Sequence, residues 1–158
     1  MHKLFYLMIF CWTIAARPAS AQDSTMWKLQ GAWTVEQMTV KIFSHAGGQL
    51  LESKDLTDKA QMVARGRDVF TGIVFSGGRY EADKSGFAER GVFGWSSGEL
   101  SFQEDSPPGI TQSLAARRYK CRLEGEVLTL DLPPVIFRDP QTGQFVKGLY
   151  TCTYKHLD

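Results

Sequence analysis

Trp27-Lys28-Leu29-Gln30-Gly31-Ala32-Trp33 is the stretch from which the rest of the chain is read. It lies between an apolar N-terminal run and the first long segment rich in β-branched residues. Gly31 stands where a strand would begin, and Trp33 is that strand's first large side chain. The segment Gly31–Phe43 then carries Trp33 and Val35 on one face and Met38, Val40 and Ile42 in the opposite phase. A phase change inside one strand predicts a bulge near Glu36-Gln37, which lets a long strand curl. Trp33 is expected to plug the core of a small antiparallel barrel.

Upstream, Lys3 precedes an apolar run from Leu4 to Ala16, too short to span a bilayer. Ala19-Ser20-Ala21 follows as a small-x-small cleavage site. These are the parts of a secretory signal, removed after Ala21. The expected location is therefore secreted or periplasmic, and no later stretch is apolar for long enough to be a membrane helix. The whole chain has 158 residues, with 18 Lys and Arg against 17 Asp and Glu. The signal takes away Lys3 and Arg17 and no acid, so residues 22–158 carry a net charge of −1. That length suits one domain with a proper core, and near-neutrality argues against a nucleic-acid partner.

Downstream, glycine-containing turns arrive at short intervals: Ser76-Gly77-Gly78, Lys84-Ser85-Gly86, Ser96-Ser97-Gly98, Glu124-Gly125 and Asp139–Gly143. The segments between them are short and rich in aromatic and β-branched residues, the pattern of an all-β fold. Eight strands are expected: Gly31–Phe43, Val69–Phe75, Arg79–Asp83, Phe87–Trp95, Glu99–Glu104, Ala115–Leu123, Glu126–Leu132 and Gln144–Lys155. The seventh bends at Pro133-Pro134 and resumes over Val135–Arg138. Alternation in the later strands buries one face, and eight meandering strands remove their edges by closing. The expected fold is an eight-stranded antiparallel up-and-down barrel with at most one short helix, over Leu56–Arg65. An extra strand at Gln49–Ser53 is the alternative for part of that gap. Asp105–Leu114, with Pro107-Pro108-Gly109, reads as an exposed loop.

Alternation points Trp33, Tyr80, Glu89, Phe93, Trp95, Phe102, Tyr119, Tyr150 and Tyr154 inward, with Phe87 on the face of Phe93. A buried carboxylate needs a partner, and buried tyrosine hydroxyls want one. This aromatic wall with polar tips fits a cavity for a small hydrophobic or amphiphilic ligand; an eight-stranded barrel filled by its own side chains is the competing reading. Cys121 and Cys152 leave a second question open. A secreted protein favours a disulfide between them. Hairpin register places Leu123 opposite Glu126, Cys121 opposite Leu128, Arg138 opposite Gln144 and Cys152 opposite Leu130. The thiols then stand on opposite sides of the seventh strand, roughly 9–10 Å apart. Arg118, Lys120 and Arg122, with Arg117 just before, form a basic stripe that pairs with Asp131 or meets an anionic surface. Neither His45 nor His156 has a metal-ligand spacing partner, and the cysteines are not CxxC. No nucleophile elbow or phosphate loop is present; no catalytic residue, metal or cofactor is expected.

Trp27-x-Leu29-x-Gly31-x-Trp33 followed by a glycine-punctuated meander resembles the lipocalin-like (calycin) barrels. The bacterial secreted type is the better likeness, because the Thr-Asp-Tyr motif and cysteine placement of the classical members are missing. The resemblance implies that Trp33 seals the base of the barrel beneath a basic residue from near the last strand, here Lys155. It also implies a non-catalytic binding role. Ser76-Gly77-Gly78-Arg79-Tyr80 is similar to the Ser-Gly-x-Arg-Tyr loop of periplasmic lysozyme inhibitors. That likeness implies a protein partner instead, met by Ser76, Arg79 and Tyr80.

Overall fold

The computed structural model describes residues 21–66, 68–109 and 114–158. The expected signal lies outside them except for Ala21, as does part of the Asp105–Leu114 loop. The elements run α1 (Ala21–Leu29), β1 (Gly31–Ser44), β2 (Leu50–Leu56), α2 (Lys59–Arg65), β3 (Phe70–Ser76), β4 (Arg79–Lys84), β5 (Phe87–Ser96), β6 (Glu99–Glu104), β7 (Arg117–Glu124), β8 (Val127–Asp131), β9 (Val135–Arg138) and β10 (Phe145–Leu157). Every pairing is antiparallel, and β10 returns to β1. Strands β1, β3 to β8 and β10 thus form the expected closed eight-stranded up-and-down barrel. The helix expected over Leu56–Arg65 is α2, shortened because Leu56 ends β2, and α1 adds a second helix.

β1 and β10 are longer than the barrel is tall. On one flank of β1, Gly31–Thr34 pairs with β3 and Met38–Phe43 pairs with β2. β2 and β3 therefore share a flank, with α2 inserted between them. On the far flank of β10, Thr151–Lys155 pairs with β8 and Phe145–Gly148 with β9. Pro133-Pro134 separates β8 from β9, since proline cannot donate to a ladder. The result is a four-stranded extension, β2-β1-β10-β9, rising above the barrel rim.

The bulge lies where the phase change predicted it. Val35 faces Tyr154 and Gln37 faces Thr153, which leaves Glu36 unmatched and exposed. The extra residue returns Met38, Val40 and Ile42 to the inner face already held by Trp33 and Val35; all five are buried.

Three hairpins turn on residue pairs with left-handed φ: Gly77-Gly78, Ser85-Gly86 and Ser97-Gly98. That is the geometry of two-residue turns matching strand twist. The β7–β8 turn is Gly125-Glu126, with Gly125 alone at positive φ (61°). Leu123 consequently faces Leu128 and Cys121 faces Leu130, two residues from the expected register but on the same faces. Arg138 faces Phe145 instead of Gln144, whereas Cys152 faces Leu130 as expected.

Cys121 and Cys152 are free and buried. They flank Leu130 on its two sides, two strand spacings apart. That is roughly 9–10 Å, beyond the ~7 Å Cα limit of a disulfide. The disulfide left open by the sequence is therefore not formed. Burial pushes both thiols up to about 12.

Candidate functional site

The base of the barrel is sealed by Trp33. Its indole Nε1–H donates to the Leu29 carbonyl at 2.8 Å, and its ring meets the His156 imidazole edge-on with centroids 4.9 Å apart. His156 Nε2 lies 3.1 Å from the Gln30 carbonyl. A carbonyl only accepts, so that nitrogen carries the proton. Gly31 has φ +110°, and a Cβ there would run into His156 Nε2. Gly31 is thus required twice, by its backbone and by the imidazole. The residue that meets the Trp33 ring is His156, not the expected Lys155. His156 shares the inward parity of Cys152 and Tyr154, whereas Lys155 is exposed on the outer face.

Above this plug, aromatic rings pack against one another in the lumen. Phe102 touches Phe70, Phe75, Tyr80 and Tyr119, at centroid separations of 5.3, 6.0, 4.7 and 5.6 Å. Phe75 and Phe93 stand 4.6 Å apart. Trp33, Tyr80, Phe93, Phe102, Tyr119 and Tyr150 are all buried as the alternation predicted, and Trp95 is half-buried. Phe87, expected beside them, is 77% exposed because β5 begins beyond the rim. The contribution of Phe70 and Phe75 was not foreseen, although both share parity with Ile73, another inward residue of β3. Among the described residues the buried Tyr119 hydroxyl has no hydrogen-bond partner, whereas the buried Tyr154 hydroxyl lies beside the Cys152 thiol and the Phe70 backbone.

Near the rim, Glu89 has the partners its burial demands. The Tyr80 hydroxyl donates to Glu89 Oε1 at 2.6 Å, and the Arg117 guanidinium donates to the same oxygen. Arg117 also lies over the Phe70 ring, 5.7 Å from its centroid. Burial, reinforced by the bond to Glu89, raises the Tyr80 hydroxyl well above its ordinary range. Arg117 belongs to the inward row of Tyr119 and Cys121, not to the basic stripe beside which the sequence set it. Its parity was the available signal. A shallow cavity of about 420 Å³ borders Glu89 between Lys84, Ser85, Phe87 and Glu104. Glu89 is committed there to two donors on one oxygen.

The Ser76–Tyr80 segment is a tight turn pinned on three sides. Gly77 N–H donates to the Gln30 side chain at 2.9 Å. Arg79 is ion-paired with Asp105, and Tyr80 is buried against Phe102 and Glu89. Ser76 is exposed. Tyr80 is thus committed inside the barrel, whereas Arg79 is exposed and its ion pair with Asp105 lies at the surface.

An open groove of about 730 Å³ lies on the outer wall, across β6, β7, β8, β10 and β1. One row crosses it through successive registers: Glu99, Lys120, Asp131, Thr151, Thr39 and, on β2, Asp55. Thr151 donates to Asp131 and Thr39 to Asp55, both at 2.7 Å. The row above it, toward the rim, brings Arg118 on β7 and Leu149 and Lys41 on β10 and β1 around Pro133 and Pro134. Beyond that, a second cavity of about 640 Å³ continues along Phe43, Lys147, Leu149, Pro134 and Ile136. Among the described residues, Lys41, Arg118, Lys120, Arg122 and Lys147 have no ion-pair partner. The expected cross-strand neighbours are in place, Lys120 directly opposite Asp131, but no ion pair closes between them, and Thr151 donates to Asp131 Oδ1. The sequence showed the stripe but not its apolar neighbours, which reach it only through the β1–β10 closure.

Comparison with protein-family models, with curated proteins and with solved structures found no match to this chain.

Proposed function

We propose that this chain is a secreted or periplasmic, non-catalytic binding barrel of the lipocalin-like type. Its ligand is a small amphiphile with an apolar body and an acidic end, and it is held on the outer wall instead of in the lumen. One observation carries the reading: a wall groove in which unpaired cations, Lys41, Arg118 and Lys120, border the apolar surface of Leu149, Pro133 and Pro134. Its volume is that of an ordinary small-molecule site. Apolar contact along the prolines and Leu149 contributes roughly 25 cal/mol per Å² buried, and the cations select the charge of the head. The lumen, by contrast, holds mutually packed rings.

An envelope protein-binding role through Ser76, Arg79 and Tyr80 is the less favoured reading. Ser76 and Arg79 are exposed there, but the buried Tyr80 would have to leave Glu89 to take part.

The proposal is tested by calorimetric titration with three probes of equal chain length: laurate, dodecanol and dodecyltrimethylammonium. Laurate is expected to bind best, with an affinity that falls as salt rises and is lost in Lys41→Glu/Arg118→Glu. Equal binding of all three probes, or laurate binding unchanged in that variant, would refute it.

A further inference from the structure

The free edges of the rim extension differ from one another. β9 has four residues and lies between Pro133-Pro134 and Asp139-Pro140. Short length and flanking prolines are the usual protections of an edge. β2 has seven residues, no proline, and β1 as its one strand partner. Its residues Leu50, Leu51, Ser53, Lys54 and Asp55 are exposed, the two leucines about half so (50% and 52%). The outer backbone N–H and C=O groups of such a strand are a template for another strand.

The sequence of β2, Leu50-Leu51-Glu52-Ser53-Lys54-Asp55-Leu56, is complementary to itself when run antiparallel about Ser53. Glu52 then stands opposite Lys54 of the second copy, and Lys54 opposite its Glu52. Leu50 stands opposite Leu56, which its own chain buries, Leu51 opposite Asp55, and Ser53 opposite itself. Opposite charges directly across a strand pair stabilise it, and like charges destabilise it. A slip of one residue sets Glu52 against Asp55, or else removes both Glu–Lys pairs. A slip of two sets Lys54 against Lys54 or Glu52 against Glu52. A slip of three does oppose Lys54 to Asp55, but it leaves only Ser53–Leu56 paired; the register centred on Ser53 is the one that pairs all seven residues and opposes Glu52 to Lys54. Glu52 is already held in place by Arg65 of α2, through bonds of 2.7 and 2.9 Å.

We propose that two copies of this chain associate through β2, antiparallel and two-fold about Ser53, so that the two rim extensions become one continuous eight-stranded sheet. This proposal stands apart from the ligand reading; neither depends on the other.

Sedimentation velocity of the purified protein over a concentration series, with three single substitutions, tests it. The wild type is expected to pass from monomer to dimer with rising concentration. Lys54→Glu and Glu52→Lys each turn two attractive pairs into like-charge pairs, so each alone weakens dimerisation roughly tenfold. Mixed in equal amounts, they are complementary again and form a heterodimer. In the wild-type charge background, Ser53→Cys crosslinks to itself on mild oxidation, because residues directly opposite lie about 4.5–5.5 Å apart. A wild type that stays monomeric at millimolar concentration would overturn the proposal. So would a dimer that ignores the charge variants and leaves Ser53→Cys uncrosslinked.

Discussion

The base of this barrel and its rim extension share two strands, β1 and β10, yet are built on opposite principles. At the base, both strands have barrel neighbours on both sides, and every inward residue meets protein. Trp33, His156 and Gly31 interlock so tightly that one Cβ has no room. At the rim, the same two strands are flanked by β2 and β9, each an edge. Exposed side chains there include Leu50, Ile136 and Phe145, at 50%, 56% and 61%. The bulge at Glu36 on β1 and the Pro133-Pro134 break beside β10 mark the boundary. The lesson is that closure and tight packing belong to the base, whereas the open grooves and exposed apolar side chains belong to the outer wall and rim.

Substitutions at the two ends should therefore differ most in stability. Trp33→Ala removes a fully enclosed indole and is expected to cost about 3–5 kcal/mol in urea unfolding. Lys147→Glu on the rim should stay within ~0.5 kcal/mol. Comparable losses at both would erase the distinction. At the boundary, Glu89→Ala leaves Tyr80 and the half-exposed Arg117 without their carboxylate. Its expected cost is about 2–3 kcal/mol, below the full range for a deeply buried pair. A neutral outcome would mean that this ion pair does not tie β5 to β7 across the barrel wall.

A pH titration sharpens the comparison. Burial raises Tyr80 and Tyr154, and pushes Tyr119 up to about 12. The folded state thus binds protons that the unfolded state releases near pH 10. The stabilisation from neutral tyrosine is complete below about pH 10. It is lost as pH rises toward 12 and above, at about 1.4 kcal/mol per pH unit for each residue. The unfolding midpoint is expected to be flat around neutrality and to fall steeply above pH 10. The smallest effect concerns the thiols. Cys121 and Cys152 should resist iodoacetamide in the folded protein and react once urea unfolds it, as read by mass. Fast labelling of either one in the folded state would mean that the wall opens there.

Much of this fold was legible because alternation has a period of two and turns have a chemistry. The phase change between Val35 and Met38 located a bulge, and each glycine turn located a hairpin. Alternation also identified the inward residues, including Glu89 and its need for a partner. It could have done more. Parity alone assigns His156 inward and Lys155 outward, and pairs Arg117 with Tyr119 instead of Arg118. The β7–β8 register was not legible, because Glu124-Gly125 and Gly125-Glu126 are equally plausible turns until the glycine's φ is known. Nor was the wall groove, which gathers Lys41, Leu149, Pro133 and Arg118 from distant parts of the sequence through closure. The packing of the lumen depends on how Phe70, Phe75 and Phe102 interdigitate, which periodicity does not encode.

The proposal that the ligand sits on the outer wall and not in the lumen is tested most directly by mapping backbone amide chemical shifts during a laurate titration. The predicted result is a continuous set of shifts at Lys41, Arg118, Lys120, Leu149 and Thr151, with Phe75, Phe102 and Tyr119 unmoved. Shifts concentrated at Phe75, Phe102 and Tyr119, with the outer wall silent, would contradict it.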